Sequence, residues 1–126
     1  MRRLALVLIF VIAALHLYIA WFEMFAWVTR GPKVFTSLLA DLFEPTKVLA
    51  ANQGLYNAFL AAGLIWSLLI KDKTWATNVA TCFLIFVATA GMFGAYTASP
   101  KILLVQTVPA AVALILLLQS RRRERR

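Results

Sequence analysis

One cysteine, one histidine and five acidic residues are the whole stock of metal-ligating and acid–base side chains in this 126-residue chain. The lone Cys82 excludes an intrachain disulfide and any site built from several thiolates, and a packing role in the third apolar run is expected for it. The lone His16 excludes the paired histidines of a zinc helix. Glu23 follows it seven residues later, ~10.5 Å along a helix axis, so no metal site is expected. Also missing are a glycine-rich phosphate loop, a dinucleotide fingerprint and a nucleophile–base pairing, which leaves no familiar enzyme class and no cofactor indicated. Charge is scarce as well. With 14% charged and 63% hydrophobic residues, the composition excludes an ordinary water-soluble domain.

Four long apolar runs fill the chain instead, at about 4–28, 47–70, 75–98 and 102–119. Each meets the ~20 residues that a helix needs to cross a ~30 Å hydrocarbon core. The reading is all-α: one four-helix transmembrane domain over 1–126, an up-down bundle in the lipid bilayer. The first run resembles a signal peptide after Met1-Arg2-Arg3, but it is too long and lacks a convincing cleavage site, so an uncleaved helix is expected. The net charge of +8 does not suggest nucleic acid, because five arginines crowd into Arg121–Arg126 directly after a span. Four crossings put Arg2, Arg3, Lys71, Lys73 and those five arginines on one side. Arg30, Lys33, Lys47 and Lys101 fall on the other. Nine basic residues against four place both termini in the cytoplasm of a bacterial inner membrane, with Trp66 and Trp75 at the inner interface.

Local signals set further expectations. Thr46 reads as the cap of the second helix with Pro45 outside it, and Ser99-Pro100-Lys101 as the start of the fourth. Pro109 should kink that helix by removing the bond to the Val105 carbonyl. In the outer connection, residues 29–46, Val34, Phe35, Leu38, Leu39, Leu42 and Phe43 recur at helical spacing and predict a short amphipathic helix. Gly54, Ala58 and Ala62, and likewise Ala90, Gly94 and Ala98, form small-residue stripes expected to pack helices closely.

Depth organises the polar residues. His16 and Glu23 share a face of the first helix, and ionisable groups inside a bilayer default to a functional-site hypothesis. Asn52, Gln53, Tyr56 and Asn57 on the second helix, and Lys101 and Gln106 on the fourth, fall in the same outer half. These eight are expected to line one outward-facing pocket for a small molecule, an ion or a lipid headgroup. Similar depth suggests an ion pair of Glu23 with Lys47 or Lys101, and His16 bonded to Tyr56 or Asn57. The bland alternatives are interhelical stitching and a snorkelling carboxylate.

His16, the segment Glu23–Trp27, the segment Thr46–Asn57 and the segment Lys101–Gln106 resemble the signature of a family of small bacterial membrane proteins catalogued as a domain of unknown function. The resemblance covers almost the whole chain and implies four helices in the inner membrane, but no activity. Small multidrug transporters share only the layout, four helices with a glutamate in the first. Three functions stay open: a transporter-like homo-oligomer, a membrane enzyme acting on a lipid-soluble substrate with Glu23 or His16 as acid/base, or an accessory subunit without a site.

Overall fold

A computed structural model describes residues 1–124. The first helix runs Arg2–Val34, as α-helix Arg2–Trp21, a π turn Phe22–Ala26 and α-helix Trp27–Val34. A 3-10 turn at Ala40–Leu42 leads into the second, Phe43–Leu69. The third is Lys73–Thr97, and the fourth opens with a π turn at Leu103–Thr107 before α-helix Val108–Glu124. All four are long and apolar enough to cross a membrane. Asp72 begins the third helix by accepting a hydrogen bond from the Trp75 N–H at 2.8 Å, which makes the turn before it tight.

Packing closes the helices into a ring: the first lies against the second and fourth, and the third against the same two. Their shared core is small and aliphatic. Ala5, Ile9, Ile12 and Ala13 meet Leu64, Ala80, Leu84, Val87, Ala110, Ala113 and Leu117. Larger side chains point outward, with Phe10, Phe25, Leu49, Leu69 and Phe93 all more than three-fifths exposed. Small residues inside let helix axes approach and gain dispersion contacts.

That core occupies one half of the bundle. Beyond it the first helix keeps only the second as a close neighbour, and the π turn of the fourth keeps only the third. No residue in 101–109 is buried, and none in the third helix after Gly91. The bundle therefore parts into two helix pairs at the end away from the chain termini.

Several local expectations change. Residues 29–46 hold no separate amphipathic helix, because the flanking helices consume most of that length. Pro32 lies inside the first helix, and Gly31 there meets the Phe43 ring, where any Cβ would collide. Thr46 does not cap: its hydroxyl donates back to the Leu42 carbonyl at 2.7 Å, and the helix starts at Phe43 with Pro45 in its first turn, where no N–H is needed. The missing N–H of Pro109 follows directly on a π turn, in which the Val108 N–H reaches back to the Leu103 carbonyl. Of the two stripes, Gly54 is buried and Ala58 and Gly94 are half-buried, but Ala62, Ala90 and Ala98 are exposed. Ala50, Ala61, Gly63, Ala80 and Gly91 take the packing positions instead. Cys82 is exposed rather than packed.

Candidate functional site

The π turn of the first helix sets the geometry. One extra residue per turn re-aims the side chains that follow, a device that recurs at functional sites. Here it turns Glu23 toward the second helix, where the Asn57 amide donates to its carboxylate at 2.8 Å. The same amide also donates to the Gln53 carbonyl at 3.2 Å, which fixes its orientation. Close approach depends on Gly54. A Cβ there would stand 2.9 Å from the Ala20 carbonyl oxygen and 3.2 Å from the Glu23 Cβ.

An aromatic cluster holds together the two helices at the end away from the chain termini. Trp27 lies 5.0 Å from Phe43 and 5.6 Å from Phe35, ring centre to ring centre, and Phe22 stands edge-on to Trp27 at 6.2 Å. The Trp27 indole N–H donates to the Thr46 hydroxyl at 3.0 Å. Next to this cluster an open groove of about 370 Å³ runs between the helices, with Glu23, Met24, Phe25, Trp27 and Val28 on one wall and Lys47, Val48 and Ala51 on the other.

The structure brings together part of the expected set. Glu23 and Asn57 touch, and Lys47 shares the groove with Glu23. The expected Glu23 ion pair is absent among the described residues. Lys47 pairs with Glu44 one turn earlier on its own helix, and exposed Lys101 lies at the start of the fourth helix, on the other pair. His16 does not reach Tyr56 or Asn57. It is fully buried, with Nδ1–H donating to the Ile12 carbonyl at 2.8 Å and Nε2 buried without a partner among the described residues. Asn52, Gln53 and Tyr56 are exposed. Gln53 and Tyr56 stand on the arc that, further along, carries Leu60 and Leu64 into the core; they are uncovered because the third helix has by then drawn away. Gln106 is half-buried in the second π turn, its Cβ packed over Gly91.

Sequence reasoning missed Thr107. Its hydroxyl donates to the Ala88 carbonyl at 3.1 Å, tying the fourth helix to the third where Gly91 leaves room. It missed Trp27 and Thr46 as partners too, although the indole N–H and hydroxyl were visible as groups needing partners in an apolar chain.

The chain is similar to the uncharacterized protein YpaA of Lactococcus lactis subsp. lactis, 27% identical over 117 residues that span 91% of this chain and 97% of the relative. No solved structure matches it. The family described as "Protein of unknown function (DUF1304)" matches residues 10–118, and the chain belongs to that family.

Proposed function

We propose that the protein crosses the bacterial inner membrane four times, with both termini in the cytoplasm. In this reading the parted half of the bundle offers an outward-facing polar site for a small molecule or ion. Membrane residence is supported by the many large apolar side chains on the outer surface, Phe10, Phe25, Leu49, Leu69 and Phe93 among them, while alanines make up much of the interior; such a surface would be untenable in water. The observation that carries the site is Glu23. It is half-buried, has Asn57 as its one hydrogen-bond partner among the described residues, and lines a groove while every nearby lysine is engaged or distant. A carboxyl group whose groove neighbour Lys47 is paired with Glu44 favours a ligand that presents a cation or hydrogen-bond donors.

Sealed inside the core, His16 is unavailable as an acid/base, so an enzymatic reading would rest on Glu23 alone. A transporter-like reading needs a second copy, since four helices leave little room for a pathway. Native mass spectrometry from mild detergent tests these together. The expected result is a retained small molecule that is lost in Glu23→Gln, with the helical circular-dichroism spectrum unchanged. Equal retention in both proteins, or none in either under several detergents, would leave the accessory-subunit reading standing instead.

A further inference from the structure

At the core end of the bundle, away from Glu23, the start of the first helix and the close of the fourth frame a groove of about 310 Å³ lined by Met1, Gln119, Arg122 and Arg123. Arg122 and Arg123 are exposed, and neither has an acidic partner among the described residues. Their neighbours are committed elsewhere. Arg121 donates to Asn78 at 3.0 Å and pins this end of the fourth helix to the third. Asp72, in the turn at the same end, is occupied as the cap of the third helix. Arg3, Lys71 and Lys73 are exposed here too, so basic residues outnumber acidic ones around the groove.

Its flanks are apolar. Leu4 and Leu118 are exposed one turn along the same two helices, and Trp66 and Trp75 are exposed at this end of the neighbouring pair. Indole rings favour the boundary between headgroups and hydrocarbon. A paired guanidinium site at that depth, opening onto leucines, matches a phosphodiester joined to acyl chains better than a free anion. Arginine also suits it, since its planar fork meets phosphate oxygens two at a time.

We infer that this groove binds the headgroup of an anionic phospholipid, with Arg122 and Arg123 on the phosphate and the chains lying along Leu4 and Leu118. The inference rests on the membrane-spanning reading, but not on the Glu23 site.

The test uses the full chain in mild detergent, titrated with phosphatidylglycerol or phosphatidylethanolamine and read by native mass spectrometry. Each basic residue near an anionic surface is worth about fivefold in binding, so Arg122→Gln with Arg123→Gln should lower phosphatidylglycerol occupancy by about thirtyfold. Lys71→Gln with Lys73→Gln removes the same charge outside the groove and should change it by less than about threefold, because distant charge is screened. Circular dichroism confirms that both variants stay helical. The inference is overturned if both pairs of substitutions act alike, if the two lipids bind equally, or if millimolar inorganic phosphate displaces the lipid. Failure of the chain to fractionate with membranes would instead refute the membrane reading, independently of any lipid count.

Discussion

Replacing Gly54 by alanine adds a single methyl group, and the structure says where it would go. The new Cβ would lie 2.6 Å from the Met24 Cγ, 2.9 Å from the Ala20 carbonyl oxygen and 3.2 Å from the Glu23 Cβ. Met24 is half exposed and its flexible side chain can swing aside, but the Ala20 oxygen is backbone and moves only if the first helix moves. Overpacking of this kind costs about 1–3 kcal/mol. Shifting the helix also strains the Glu23–Asn57 bond, worth ~0.6 kcal/mol in a membrane setting. Alanine returns up to ~1 kcal/mol through its better helix propensity. The net expectation is a loss of about 1–2 kcal/mol, or roughly 5- to 30-fold in the ratio of folded to unfolded protein.

Gly94→Ala is the control. A Cβ there would meet the Ile102 side chain, at 3.2 Å from Cγ2 and 3.5 Å from Cδ1, which can give way, so stability should stay near wild type or rise by up to ~1 kcal/mol through helix propensity. Stepwise unfolding in sodium dodecyl sulfate, followed by far-UV circular dichroism, reads both. If Gly54→Ala matches wild type, or if Gly94→Ala loses as much, the reasoning from close approach at the π turn fails. From the sequence stripes the two glycines look equivalent; the geometry separates them.

Two further outcomes are expected. Thr107→Val keeps shape but removes the bond to the Ala88 carbonyl, and should cost about 0.5–1.5 kcal/mol in the same assay while Thr107→Ser stays near wild type. In a Cys82→Ala background, a cysteine at exposed Thr36 should react with a membrane-impermeant maleimide in intact cells, and one at exposed Lys73 should not; labelling at Lys73 would reverse the proposed orientation.

The existence of four helices was legible because apolar length is a crude, robust signal. Their ends were less so. The first apolar run ends near residue 28, yet the helix continues through Gly31 and Pro32 to Val34, where Gly31 leaves room for the Phe43 ring. Thr46 has the right residue type for a cap, and only tertiary structure shows its hydroxyl serving Leu42 and Trp27 instead. Rotation of each helix was the hardest to read. A helix apolar all round carries almost no directional pattern, so Ala62, Ala90 and Ala98 could not be told from Ala61, Ala80 and Gly91. Neither π turn has a periodic signature. In the candidate site, shared depth suggests an ion pair of Glu23 with Lys47 or Lys101. A local Glu44–Lys47 pair competes for the first amine, Lys101 lies at the start of the fourth helix, and Asn57 meets the carboxylate instead.

The confinement of the four-way core to one half has a dynamic corollary. Protection against amide exchange follows local burial, so the Ala5–Ala13 and Ala110–Leu117 segments should open only with global unfolding. The two pairs at the other end are joined by far fewer contacts and can shift relative to one another while that base stays intact. A molecule that bridged them would raise the stability of the whole bundle through mass action, and its binding would carry the entropic cost of stilling two loosely coupled arms. The parted end would then act as a clasp that its occupant completes.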